Sequence, residues 1–203
     1  MGLFLSLSGI IGKTPEESLA ALQAYAISKG GNLKRVTSEI EDDKRCVVAG
    51  ENNNTTIIYP PDHLDRDESS AFLSSELHAP VFSFHIHDGD FWMFTLYRDG
   101  KIITQFNPIP DYWDWDDDIP SKALAAWQGD AATVCKHVLY LRPENIERYF
   151  QRWNLEDENP GKAYENDEYN FGDEWQLIDF MNKLWLPYPI QENVNFEKQY
   201  FEF

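Results

Sequence analysis

Apolar side chains occupy both faces of residues 3–11, at Leu3, Phe4, Leu5, Leu7, Ile10 and Ile11, which predicts a strand buried from two sides. Thr14-Pro15-Glu16-Glu17 then starts a helix. Thr14 caps it, Pro15 suits the first helical position, Glu17 closes a capping box, and both acids face the positive end of the dipole. Leu19, Leu22, Tyr25 and Ala26 form its buried stripe, and Gly30-Gly31 ends it. Strands are expected at 33–37, 45–49 and 55–59, the last two joined across Gly50–Asn54. A second helix is expected over 67–78, with Asp67 as cap and Phe72, Leu73 and Leu77 inward.

Residues 81–106 alternate as a three-stranded meander, turned at Asp88-Gly89 and at Asp99-Gly100. Two-residue turns at both sites place His87 opposite Asp90, His85 opposite Trp92, Leu96 opposite Ile103 and Phe94 opposite Gln105. One face then carries Phe82, Phe84, Ile86, Phe91 and Met93 as core. The other, mixed in character, carries His85, His87, Asp90, Trp92, Phe94 and Gln105.

Beyond Asn107-Pro108-Ile109-Pro110 the pattern becomes helical. Short helices are expected at 121–128 and 131–138, and another from Pro143 with Ile146, Tyr149, Phe150 and Trp153 at core spacing. Residues 154–172 read as a long loop. Asp173 caps a last helix whose stripe is Trp175, Ile178, Met181, Leu184 and Trp185, stopped by Pro187. The tail 190–203 alternates loosely, as an edge strand or a fraying end. These elements predict an α+β fold: a mostly antiparallel sheet of six or seven strands, an early packing helix and a helical C-terminal third. One domain spans 1–203, sheet-rich over 1–110, helical and acidic over 111–188, with a tail from 189.

The hydrophobic fraction, 42% with 15% aromatics, supplies a core without disulfides or metal. Cys46 and Cys135 fit buried thiols, since neither belongs to a Cys-x-x-Cys or Cys/His cluster. No apolar run reaches the ~18 residues of a membrane span, and no basic residue precedes the first apolar run. A cytoplasmic location is the expectation.

Charge adds a constraint on partners. Seventeen basic and thirty-five acidic residues give a net charge of −18. Residues 111–203 hold eight basic and twenty acidic residues, against nine and fifteen over 1–110. Such a polyanion is repelled by phosphate backbones and anionic membranes; its charge either serves solubility alone or attracts a basic protein.

Candidate chemistry is sparse. Gly9-Ile10-Ile11-Gly12-Lys13-Thr14 resembles a phosphate loop, but the first glycine would fall at Leu7, Pro15 removes a donor, and Glu16 and Glu17 repel phosphate. His85-Ile86-His87 points two imidazoles one way. With Asp90 opposite, they make a candidate three-ligand metal site that would activate water. Trp92, Phe94 and Gln105 beside them suggest a small-ligand surface. Asp111–Asp118 lacks the glycine and the twelfth-position glutamate of a calcium loop, while its Trp113 and Trp115 suit either a loop packed onto the sheet or an interface anchor. No cofactor is implied. These features favour a non-catalytic protein-binding factor of inhibitor or immunity type. A metal-dependent hydrolase and a small-ligand binder are the alternatives.

Overall fold

In the computed structural model, which describes residues 2–37, 45–112, 121–189 and 198–202, all eight strands lie in one antiparallel sheet. The strands are β1 (Leu5–Ile10), β2 (Lys34–Val36), β3 (Cys46–Glu51), β4 (Asn54–Ile58), β5 (Val81–His87), β6 (Phe91–Arg98), β7 (Lys101–Phe106) and β8 (Lys198–Glu202). The helices are α1 (Pro15–Ser28), α2 (Arg66–Leu77), α3 (Ser121–Ala126), α4 (Ala131–His137) and α5 (Gln176–Lys183). Spatial order is β2-β8-β3-β4-β1-β5-β6-β7, so β1 is central. Among the described residues no helix is long and apolar enough to cross a membrane.

The double-faced pattern of β1 has its reason in the layers. Leu5 and Leu7 point into one core and Ile10 into the other. The smaller core lies under α1 and α2, where Ala21, Leu22 and Leu73 meet Val48, Ile57 and Val81. The larger lies under the C-terminal half and is aromatic. Phe180 of α5 sits 5.3 Å from Trp92, 5.4 Å from Phe94 and 5.6 Å from Phe150, centroid to centroid. Gly9 lets this layer close: a Cβ there would lie 2.5 Å from Leu186 Cδ1 and 2.9 Å from Phe84 Cε2.

The Thr14 capping box forms as the sequence requires, with Glu17 N–H donating to Thr14 Oγ1 and Thr14 N–H to Glu17 Oε2. Elsewhere the chain departs from its pattern. Asp65, not Asp67, precedes α2, and Asp67 lies in its first turn, where its side chain bonds Tyr97. The segment from Pro143 makes two 3-10 turns, Pro143–Asn145 and Glu147–Tyr149, because Asn145 Oδ1 closes the first onto Arg142 N–H and Ile146 leaves helical φ at −135°. Its core positions are nonetheless filled, with Ile146, Tyr149 and Trp153 buried. The tail is not an edge: β8 pairs on both sides, with β2 and β3.

The meander keeps one turn and shifts at the other. Asp99-Gly100 is a two-residue turn with both φ positive, and Arg98 pairs with Lys101. Asp88-Gly89 has the same signature, and Asp90 N–H closes on His87 C=O at 2.9 Å. The ladder then resumes one residue later, at His87↔Phe91, leaving Asp90 as an extra residue. That single slip flips β6. Ile86 pairs with Trp92 and Phe84 with Phe94, which places Trp92, Phe94 and Leu96 in the aromatic core. A second irregularity, between Leu96 and Tyr97, sets Leu96 opposite Thr104 in place of Ile103, Phe94 opposite Phe106 and Thr95 opposite Gln105.

Candidate functional site

His85 and His87 share the face of β5 that looks toward the α1–α2 layer, together with Ser83 and with Met93 across the ladder. His85 is 7% exposed. Its Nδ1 lies 2.9 Å from the Leu5 carbonyl, which can only accept, so Nδ1 carries the proton and Nε2 the lone pair. Ser6 Oγ is 3.2 Å from the same nitrogen. Burial, helped by the Arg66 charge, holds this imidazole down to about 4 and keeps it neutral near pH 7. His87 lies among aromatic rings, 5.1 Å from Phe4 and 5.6 Å from both Phe91 and Tyr112.

Asp90 does not face His87; it accepts a hydrogen bond from the Tyr112 hydroxyl. Among the described residues, no group of three or more His, Cys, Asp or Glu side chains is placed to hold a metal ion. Trp92 is fully buried and donates from Nε1 to Gln176 Oε1 at 3.3 Å, so it is a core residue. Gln105 Nε2 donates to Thr95 Oγ1 at 3.2 Å, on the His85 face but two strands away. Trp113 and Trp115 lie outside the described residues. Cys46 is buried and its thiol is pushed up to about 12, far from a thiolate nucleophile. Cys135 is a free, half-buried thiol, raised by burial as well.

In front of His85 opens a cleft of about 330 Å³ between the chain start, the segment before α2, and β5–β6. Phe4, Pro61, Leu64 and Met93 give it an apolar wall. Its polar lining is Ser6, Arg66 and the imidazoles of His63, His85 and His87. Among the described residues no carboxylate lines it, in a chain whose acids outnumber its bases two to one.

A second constellation gathers beyond the other end of β1, around Asn54. This side chain is 2% exposed. Its Oδ1 accepts from Gly12 N–H at 2.8 Å, while Nδ2 donates to the Trp185 carbonyl at 3.1 Å and the Leu184 carbonyl at 3.4 Å. The Tyr140 hydroxyl also donates to Leu184 C=O, and burial pushes that phenol up to about 12. These donors satisfy the carbonyls that follow α5.

The helix end itself is a Schellman motif. Leu186 N–H reaches Met181 C=O and Trp185 N–H reaches Asn182 C=O, at 3.0 and 3.1 Å. The position between, normally glycine, is Trp185 at φ +53°. The left-handed backbone takes Trp185 off the inward stripe and turns its indole outward, 52% exposed and stacked on Tyr140 at 4.1 Å with the planes 5° apart. Leu139, 85% exposed, precedes Tyr140 in the chain. A depression that Asn54 also lines carries Glu16 and Glu51 and, among the described residues, no Lys or Arg. An Asn run before a strand was the only sequence hint of this arrangement.

The acidic loop 154–175 lacks helix and strand but is tied down by two buried carboxylates. Asp179 accepts from Glu168 N–H at 3.0 Å and Tyr169 N–H at 2.8 Å. Asp167 accepts from Tyr164 N–H at 3.0 Å and pairs with Lys183 at 3.2 Å. Glu156, Asp157, Glu158, Glu165 and Glu168 are left exposed on this frame. Compared with known proteins, the chain matches no family model, no curated protein and no solved structure.

Proposed function

We propose that the chain is a non-catalytic protein-binding factor of inhibitor or immunity type, which engages a basic protein through the surface centred on Trp185. The observation that carries this reading is Trp185 itself: a large aromatic at the helix-end position that favours glycine, half open to solvent. An L-residue there costs about 1–2 kcal/mol. Exposed tryptophan backed by a rigid neighbour supplies the kind of anchor that dominates protein interfaces. Here the backing is the Tyr140 ring, itself fixed by the Leu184 carbonyl and by Asn54.

Charge selects the partner. The net charge of −18, the carboxylates of Glu16 and Glu51 in the depression that Asn54 lines, and the acids on the loop 154–175 favour a basic surface and speed its approach. The buried aspartates tie down the stretch around Tyr164, Glu168 and Tyr169, which lowers the ordering cost for the acids it carries on binding.

The test is affinity capture from the source cells with the tagged chain at graded salt, against a Leu139→Ser/Trp185→Ser double variant. A basic protein is expected to be retained at low salt, to elute as salt rises, and to be lost with the variant. Retention that ignores the double variant, or an empty eluate at low salt, refutes the proposal.

A further inference from the structure

The cleft in front of His85 pairs a cation without a hydrogen-bonded partner with a neutral acceptor. The Arg66 side chain is 23% exposed, and among the described residues the carboxylate it pairs with is that of the neighbouring Asp67, at 4.0 Å. Asp67 is itself engaged by the Tyr97 hydroxyl. Among the described residues the guanidinium makes no hydrogen bond, although it offers five donors. A mostly covered guanidinium in that state has much to gain from an incoming carboxylate, which matches its fork with two parallel bonds.

His85 contributes the complementary half. Its Nδ1–H is committed to Leu5 C=O, so the ring is fixed and Nε2 is an acceptor with no partner among the described residues. Neutral imidazole in this tautomer takes a hydrogen from a hydroxyl or N–H. In the same cleft, Phe4, Leu64 and Met93 offer apolar contact. Leu64 at 80% exposure and Phe4 at 45% form an open rim that a ligand would cover. The volume, about 330 Å³, is of the size that holds a small molecule. Asp62 and Asp65 stand near His63, but Asp65 is countered by Lys29 at 3.8 Å, and neither lines the cleft.

We infer that this cleft binds a small carboxylate with an apolar body and an adjacent hydroxyl or N–H, Arg66 taking the carboxylate and His85 Nε2 accepting from the donor group. It lies beyond the end of β1 opposite to the Asn54 clamp, so it is independent of the partner surface.

Three probes dissect the site by calorimetric or NMR titration: 3-phenyllactate, 3-phenylpropionate lacking the hydroxyl, and 2-phenylethanol lacking the carboxylate. Phenyllactate is expected to bind saturably at one site. Loss of the hydroxyl should weaken it several-fold, and loss of the carboxylate about 10- to 100-fold. Arg66→Gln should abolish the preference for acid over alcohol while leaving the alcohol's affinity unchanged. Nuclear Overhauser contacts from the phenyl ring to the Met93 methyl and the Phe4 ring locate the site in the unaltered protein, whatever the stability of the variant. No saturable binding of phenyllactate, an acid preference that survives Arg66→Gln, or absence of those contacts overturns the assignment.

Discussion

Trp185 offers a stability test that separates backbone strain from side-chain contact. The residue has φ +53° and is 52% exposed, so about half of its side chain, ~100 Å², is buried. At 25 cal/mol per Å² that burial contributes about 2.5 kcal/mol, and the parallel stack on Tyr140 adds about 1. Against this stands about 1–2 kcal/mol for an L-residue in the left-handed region. Trp185→Ala removes the contacts and keeps the backbone cost, for a loss of about 3 kcal/mol. Trp185→Gly removes the same contacts and the backbone cost together. Glycine's extra unfolded-chain entropy returns about 0.5–1 kcal/mol of that relief. Glycine should therefore be the more stable of the two by about 0.5–1 kcal/mol, although it is the smaller residue. Urea unfolding with equal m-values reads the difference directly, and thermal melts should separate the pair by about 1–4 °C at this chain length. An alanine variant as stable as the glycine variant would refute the assignment of Trp185 to a left-handed helix end.

Asn54→Ala strips Gly12 N–H and the Leu184 and Trp185 carbonyls of one buried partner. It should cost about 3 kcal/mol in urea unfolding and speed amide exchange at Gly12, whereas a loss under 1 kcal/mol would mean water replaces the clamp. Asp179→Ala should raise amide exchange at Glu168 and Tyr169 selectively, with a global loss of about 1–3 kcal/mol; uniform exchange across the chain would show that the loop is not held there. His85 has a folded value depressed to about 4 from 6.5, so its contribution is full above pH 6.5 and is lost as pH falls toward 4. Between pH 7 and pH 5.5 this group alone removes about 1.2 kcal/mol, and that part of the slope should vanish in His85→Gln. An unchanged slope in the variant would place the titration elsewhere.

Local chemistry explains what could be read before the fold. The Thr14–Glu17 box and the Asp99-Gly100 turn depend on residues within four positions of each other, and both form. Asp88-Gly89 carries the same turn signal, but whether Asp90 joins the ladder depends on which core must receive Trp92 and Phe94, a question settled by α5 nearly a hundred residues on. One residue of register moved Trp92 from the expected ligand face into the core and broke the pairing of His87 with Asp90. The tail alternates too weakly to announce an interior strand; its place between β2 and β3 comes from partners over 140 residues away in the chain. Trp185 extends an inward stripe on paper because helical periodicity carries no sign of where a left-handed residue ends the helix. The role of Asn54 was legible only as a place in an Asn run, since its acceptors lie 130 and 131 residues away.

Whether this surface anchors a basic partner is decided by calorimetry between the purified chain and the protein it captures, at 50 and 300 mM salt. The unaltered chain should bind one-to-one, with affinity falling as salt rises. Trp185→Ser should weaken it by about 30-fold or more, the loss typical of an aromatic anchor. Equal affinity for the unaltered chain and the variant, or binding indifferent to salt, would contradict both the anchor and the charge selection.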